Sequence, residues 1–233
     1  MADDLDAQIR RADPDRWLAS RLIADEAARA DVIALYAFNH ELARAPEVAS
    51  QPLVGEMRLA WWGEALEEIF EGRRVRTHPV AQALERAVKA RALPRGPLDA
   101  MTEARLADLD GGVLEPEKVE PYIDATAVGL MGLAARVLAR DSRPEQVVHA
   151  GRAWALAGLA RAGRLPKAWT AEEVRRQVDV ARALAAGEIE ELPVDAFPAV
   201  AYATLAPAYA RGRAQTELGR KARITWAAAT GRI

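Results

Sequence analysis

The chain of 233 residues contains no cysteine. Disulfide bonds, thiolate nucleophiles and cysteine-ligated metal sites are therefore excluded. The formal net charge is only −2, so no overall field favours nucleic acid, and we expect no nucleic-acid partner. A chain of this length can bury a large hydrophobic core without disulfides.

Long apolar runs are also missing. The longest stretch without a charged residue, residues 196–210, is interrupted by Pro198 and Pro207, whereas a membrane-spanning helix needs about 20 apolar residues. The chain starts with acidic residues and not with a basic and then apolar segment, so we expect no secretory signal. These features predict a cytoplasmic protein. The basic residues are nearly all arginine and alanine is abundant, which indicates a GC-rich bacterial gene.

Alternating runs of β-branched and aromatic residues, typical of strands, are absent, and strong helix formers dominate. Asp13-Pro14 and Thr170–Glu173 have the pattern of helix starts. Residues 32–39 carry no charge on any side of a helical wheel, which places them at the centre of a bundle. We predict an all-α fold, a single-domain bundle of about nine or ten helices over residues 1–233.

Five motifs follow one another along the chain: Asp13-Pro-Asp-Arg-Trp17, Tyr36-Ala-Phe-Asn39, Arg58-Leu-Ala-Trp-Trp62, Arg105-Leu-Ala-Asp108 and Val128-Gly129-Leu-Met131. In this order and spacing they resemble the squalene/phytoene synthase family, most strongly over residues 13–169, with further helices over residues 170–233. The resemblance implies an isoprenoid-synthase-like helical fold around an apolar pocket. In such enzymes, two prenyl diphosphates are condensed head to head with the help of Mg²⁺.

The chain departs from this family at both acidic motifs. Two aspartates four residues apart on a helix share one face and can hold Mg²⁺. Aligned with the family, the first pair falls at Ala43 and Glu47, with Arg44 between them. The second motif falls on residues that carry no carboxylate, Ala155, Gly158 and Ala162. An arginine opposes a magnesium cluster, so we expect neither a cofactor nor head-to-head synthase activity.

A degenerate subgroup of the family shows the same losses, and the mitochondrial assembly factor 6 of NADH dehydrogenase (respiratory complex I) is a known member of it. The resemblance to this subgroup implies a non-catalytic protein that binds a partner protein or a lipid. It also implies a role in assembling a respiratory complex, at the periphery of the inner membrane.

Nine residues are candidates for a substrate or ligand pocket. The aromatic ones either line a prenyl pocket or belong to an ordinary core. The arginines either grip a diphosphate, which suits the guanidinium fork, or lie at the surface. The candidates are Tyr36, Phe38, Arg44, Glu47, Arg58, Trp62, Arg105, Asp108 and Gly129.

Two other functions stay open. One is a prenyl-diphosphate-using transferase with an atypical site, in which Glu47 and Asp108 would hold Mg²⁺ and the arginines would hold diphosphate. The other is an isoprenoid or lipid carrier. Residues 211–233 are strongly basic, with Leu218, Ile224 and Trp226 interleaved. This C-terminal segment is either amphipathic and in contact with an anionic membrane, or a solvated terminal helix.

Overall fold

The computed structural model describes residues 2–46 and 52–233. These residues form twelve α-helices and no strand, which confirms the predicted all-α fold. The helices are α1 (Ala2–Ala12), α2 (Pro14–Ser20), α3 (Glu26–Ala43), α4 (Pro52–Phe70), α5 (Pro79–Arg91), α6 (Arg95–Ala104), α7 (Pro116–Ile123), α8 (Gly129–Leu138), α9 (Val148–Arg161), α10 (Ala171–Glu190), α11 (Ala206–Ala210) and α12 (Glu217–Thr230).

Short polar and proline motifs set the helix starts. The Asp13 carboxylate accepts a hydrogen bond from the backbone N–H of Arg16 at 3.2 Å, and Pro14 is the first residue of α2. At α10, the Thr170 hydroxyl accepts from the N–H of Glu173 at 3.1 Å. Such caps satisfy donors that lack a partner within the helix. The helix count exceeds nine or ten because short elements such as the five-residue α11 form as well.

Helix α3 lies at the centre of the bundle. It packs against α1, α5 and α8, and every side chain from residue 32 to residue 38 is buried. A helix that is apolar on all sides is stable only when other helices surround it. The charge-free segment therefore takes the central position that the sequence predicts.

Helix α9 packs against α10, α11 and a π-helical turn, Asp124–Val128, which joins α7 to α8. At Gly151 the backbone of α9 comes close to this turn. A β-carbon there would lie 2.9 Å from Cα of Val128, closer than side chains tolerate. Glycine at this position lets the two backbones come together.

The end of the described chain returns to its beginning. The Asp15 carboxylate on α2 is buried and accepts hydrogen bonds from the Tyr209 hydroxyl at 2.7 Å and from Arg220 Nη1 on α12 at 3.2 Å. Burial raises the pKa of Asp15, although the hydroxyl and the guanidinium partly offset this effect. These contacts hold α12 against α2. No helix in the two described ranges is long and apolar enough to cross a membrane.

Candidate functional site

Two groups of charged side chains lie on either side of the C-terminal half of α3. We call them the Asp108 cluster, formed by Asn39, Arg105, Asp108, Tyr122 and Arg164, and the Glu41 cluster, formed by Gln8, Glu41, Arg44 and Arg58. Four of the nine candidate residues, Arg44, Arg58, Arg105 and Asp108, belong to them.

The Asp108 cluster is a closed hydrogen-bond network. Its carboxylate Oδ1 accepts from Arg164 Nη1 at 2.5 Å, and Oδ2 accepts from Arg105 Nη1 at 2.9 Å and from the Tyr122 hydroxyl at 3.2 Å. Arg105 Nη2 also donates to Oδ1 of Asn39 on α3 at 3.0 Å. The Asp108 side chain is only 6% exposed. Charge-assisted hydrogen bonds of this kind are stronger than neutral ones, so the network ties α3 to the segment after α9.

Local backbone geometry places these groups. Residues Arg105–Asp108 form a 3₁₀ turn, in which residues three apart lie on the same side. Gly163 ends α9 in the left-handed conformation, with φ +66°, which glycine adopts without strain. The N–H of Arg164 then bonds back to the Leu159 carbonyl at 2.9 Å. This helix end turns the Arg164 side chain toward Asp108.

Tyr122 closes the network from α7. Its hydroxyl accepts hydrogen bonds from Arg105 Nη1 at 2.8 Å and from Arg164 Nη1 at 3.3 Å, and both guanidinium groups lie over its ring. Burial raises the pKa of Tyr122, so the phenol stays protonated and can donate to Asp108. One aspartate and two arginines leave this cluster with a formal charge of +1.

The Glu41 cluster is also dominated by arginine. Glu41 is buried on α3, where Oε2 accepts from Arg58 Nη2 at 2.8 Å and Oε1 from Arg44 Nη1 at 3.3 Å. Gln8 Nε2 contributes a longer bond of 3.4 Å to Oε1. Arg58 reaches Glu41 from α4, so this cluster links α3 to the next helix along the chain.

An aromatic group lies beside the Glu41 cluster. The rings of Phe38 and Trp62 meet edge to face at 5.3 Å, and those of Trp61 and Trp62 at 4.9 Å, which is a favourable arrangement. The imidazole of His78 packs against both tryptophans. A cleft of about 350 Å³ opens between Trp61, His78 and Arg58. Burial lowers the pKa of His78; the nearby Glu41 raises it and Arg58 lowers it further.

The remaining candidates do not join these clusters. Tyr36 is buried, and its ring lies 5.9 Å from the guanidinium carbon of Arg16. Gly129 is the first residue of α8, where a β-carbon would lie 3.9 Å from the Met101 side chain. Glu47 lies outside the described residues.

The positions of the two expected acidic motifs lie on α3 and α9 or directly after them, except Glu47, and several of them are at or near the ends of these helices. Ala43 is the last residue of α3 and Arg44 follows it, while Ala155 and Gly158 lie on α9 and Ala162 just after it. Gly158 and Ala162 are exposed. The Asp108 cluster lies between the ends of α3 and α9. Arg105 bonds to Asn39 on α3, and Arg164 follows the end of α9.

Mg²⁺ takes oxygen ligands in octahedral geometry, so a site for it needs carboxylates with free oxygens. In residues 2–46 and 52–233, no group of three or more His, Asp and Glu side chains is placed to hold a metal ion. Both oxygens of Asp108 and both oxygens of Glu41 already accept hydrogen bonds from arginine. Because a guanidinium repels a cation, these two carboxylates do not fit a magnesium cluster.

Arg16 was not among the candidates that the sequence suggested. It is buried on α2, pairs with Asp13 at 2.6 Å, and lies over the rings of Tyr36, Trp154 and Tyr202. Burial opposes its charge, but Asp13 and Tyr202 raise its pKa overall. The sequence offers two signals for it: the spacing of Asp13 and Arg16 by three residues, and the position of Arg16 within the motif Asp13-Pro-Asp-Arg-Trp17. The aromatic rings come from distant segments.

A groove of about 470 Å³ runs between α7, α9 and α10. Its floor is apolar, with Ile123, Leu156 and Trp169, and two side chains of α10, Val180 and Leu184, are about half exposed along it. Polar side chains form its rim: Glu120, His149, Arg152, Arg176 and Gln177.

Comparison with known proteins agrees with this fold. A family model described as squalene/phytoene synthase matches residues 9–165. The human NADH dehydrogenase (ubiquinone) complex I assembly factor 6 is 31% identical over 157 residues, which cover 66% of this chain and 46% of that protein. The chain therefore matches about half the length of that relative.

Two solved structures share the overall fold. One is the squalene synthase HpnC from Alicyclobacillus acidocaldarius, with a TM-score of 0.67 and 17% identity, covering 99% of this chain and 94% of that one. The other is a dehydrosqualene synthase in complex with a ligand, with a TM-score of 0.71 and 15% identity, covering 98% and 95%. At these identities the likeness concerns the fold alone.

Proposed function

The chain belongs to the squalene/phytoene synthase family, and we propose that it is a member without head-to-head synthase activity, which binds a partner protein during the assembly of a respiratory complex. Its isoprenoid-synthase fold would then serve as a scaffold. The proposal has a chemical part, the missing activity, and a cellular part, the partner.

The main support for the absence of synthase activity is that both oxygens of Asp108 are occupied by hydrogen bonds from arginines. Ionising a prenyl diphosphate requires carboxylates that present free oxygens to Mg²⁺. The two buried carboxylates near the end of α3, Glu41 and Asp108, instead accept hydrogen bonds from arginines. The motif positions themselves carry Ala43, Arg44 and Gly158 among others. A site with this charge would bind an anion more readily than a metal cluster.

The relatives support the cellular part. The human protein that matches this chain is named as an assembly factor of NADH dehydrogenase, and matching proteins from the rat and the fruit fly carry corresponding names. Assembly factors act by contact with other polypeptides, so we propose a protein partner for this chain as well.

The groove between α7, α9 and α10 suits such a partner. Its apolar floor and the exposed Val180 and Leu184 would accept the apolar face of a helix, a common mode of recognition. Arg176 on its rim has no carboxylate partner within the described ranges. We therefore propose that the partner segment is an amphipathic helix with an acidic residue placed opposite Arg176.

An atypical transferase is the alternative that the same residues could serve. It would need Asp108 as a metal ligand, and this carboxylate would first have to leave Arg105 and Arg164. A lipid carrier would need an apolar cavity lined by the aromatic candidates. Tyr36 and Phe38 are instead almost completely buried against other side chains, and Trp62, although it borders the small cleft beside the Glu41 cluster, is only 1% exposed. These contacts favour the scaffold.

Incubation with farnesyl or geranylgeranyl diphosphate and Mg²⁺, followed by product analysis, tests the chemical part. We expect no condensed product and no release of diphosphate above the rate without protein. Turnover that disappears in Asp108→Asn or Glu47→Gln would overturn the proposal. Circular dichroism of each variant distinguishes a loss of turnover from a loss of folding.

Deletion of the gene in its native host tests the cellular part. We expect less assembled NADH dehydrogenase on a native gel, and restoration by the unchanged chain. Val180→Glu combined with Leu184→Glu should fail to restore assembly, because two carboxylates would enter the apolar groove. The exposed Val194→Glu is the matched control and should restore it. Normal assembly in the deletion strain would contradict this part of the proposal.

A further inference from the structure

The outer face of α12 presents large apolar side chains to solvent. Leu218 is 77% exposed and Trp226 is 72% exposed. They are eight residues apart, with the exposed Ala222 midway between them, and residues four apart lie on the same side of a helix. Leu218, Ala222 and Trp226 therefore form one apolar stripe along α12.

The inner face of the same helix packs against the bundle. Ile224 and Ala227 are buried, and Arg220 donates to the buried Asp15 on α2. These contacts fix the rotation of α12 about its own axis, so the apolar stripe faces away from the bundle. The stripe is thus a property of a docked helix and does not arise from a free end of the chain.

Positive charges flank the stripe. Lys221 and Arg223 are exposed, and the 100° step of an α-helix places them on opposite sides of the stripe. In the described part of the chain no carboxylate pairs with either of them, in contrast to Arg211 and Arg220, which pair with Asp179 and Asp15. Both side chains are free to meet an external anion.

We propose that α12 is a membrane-contact helix, and that its Leu218–Trp226 stripe rests on the surface of an anionic lipid bilayer. Tryptophan is favoured at the boundary between headgroups and acyl chains. Lysine and arginine beside it can extend to the phosphates while their stems follow the apolar region. This arrangement of charge complements an anionic lipid surface, and the proposal does not depend on whether the chain is catalytic.

Co-sedimentation with vesicles tests the proposal on the full chain. Phosphatidylcholine vesicles with phosphatidylglycerol should bind the protein, and vesicles of phosphatidylcholine alone should bind it much less. Lys221→Gln and Arg223→Gln should each weaken binding about five-fold, as expected for the loss of one basic residue near an anionic surface. Leu218→Ser combined with Trp226→Ser should weaken it by about tenfold or more.

The matched control is Leu53→Ser combined with Met57→Ser. These side chains are 60% and 65% exposed and lie four residues apart on α4, so the change in apolar surface is similar but lies on another helix. The control should bind vesicles like the parent, and all variants should keep the parent's thermal unfolding midpoint. Equal binding by the parent and the α12 variants would overturn the proposal.

Light scattering without lipid tests whether the stripe is instead covered by a second copy of the chain. A dimer of the parent that becomes a monomer in the Leu218→Ser, Trp226→Ser variant would assign the stripe to a second copy of the chain, and would overturn the membrane proposal. A monomer in both cases, together with the vesicle results above, would support it.

Discussion

Replacing Asp108 with asparagine removes the central charge of the Asp108 cluster and keeps its shape. Arg105 and Arg164, whose side chains are only 13% and 19% exposed, would then lie close together without their shared carboxylate. Removing one partner of a buried ion pair costs about 3–5 kcal/mol. Because both arginines keep some access to water, we expect about 3 kcal/mol, the lower end of that range.

Urea unfolding followed by circular dichroism measures this loss. With a slope of about 3 kcal/mol per molar urea, the midpoint should fall by about 1 M. Glu191→Gln is the matched control, because it removes one charge from the Arg143–Glu191 pair, in which both side chains are more than 60% exposed. Such surface pairs contribute about 0–1 kcal/mol.

The two variants must differ if the reasoning is right. A midpoint for Asp108→Asn equal to that of Glu191→Gln would refute the idea that the Asp108 cluster ties α3 to the segment after α9. If Asp108→Asn does not fold, Arg164→Gln gives a milder test. It leaves Asp108 bonded to Arg105 and Tyr122, so the variant should fold, with a midpoint below those of the parent and of Glu191→Gln.

Three further predictions concern single residues. Gly151→Ala should lower the unfolding midpoint, because its β-carbon would press on Val128. Gly158→Ala on the same helix has nothing within 4 Å of the new β-carbon and should raise the free energy of unfolding by up to about 1 kcal/mol. Equal effects of the two substitutions would contradict this account of α9. Trp62→Ala should cost about 3–5 kcal/mol and the exposed Trp226→Ala under about 0.5 kcal/mol in the same urea assay. Because the pKa of His78 is lowered in the folded chain, the unfolded chain binds a proton on this imidazole more readily. The free energy of unfolding should therefore fall as the pH drops below 6.5, the ordinary pKa of histidine, and the fall should be smaller in His78→Asn. Identical pH profiles of the parent and the variant would show that His78 contributes nothing to this dependence.

The central helix could be predicted from the sequence because its signal is local. Residues 32–39 lack charge on every side, and a helix of this kind has only one place in a bundle. The caps at Asp13 and Thr170 are equally local, since each donor lies within three residues of its acceptor. The resemblance of the motifs to the squalene/phytoene synthase family predicted how the helices are arranged.

The pairing of the charged residues could not be predicted in the same way. The Arg105–Asp108 pair has a helical spacing, but Arg164 reaches Asp108 across 56 residues. With so many arginines in the chain, no local rule selects which one meets a given carboxylate. Arg16 illustrates the same limit, because the rings of Trp154 and Tyr202 that cover it are brought there only by tertiary packing.

The bond between Asp15 and Arg220 has a consequence for synthesis on the ribosome. The two residues are 205 positions apart, and chains grow at about 5–20 residues per second. For roughly 10–40 seconds after Asp15 is made, its guanidinium partner therefore does not exist. Throughout that interval the contacts of α2 with α12 cannot form. Helix α12 therefore completes the packing of α2, a helix that is made 205 residues earlier, counted from Asp15 to Arg220.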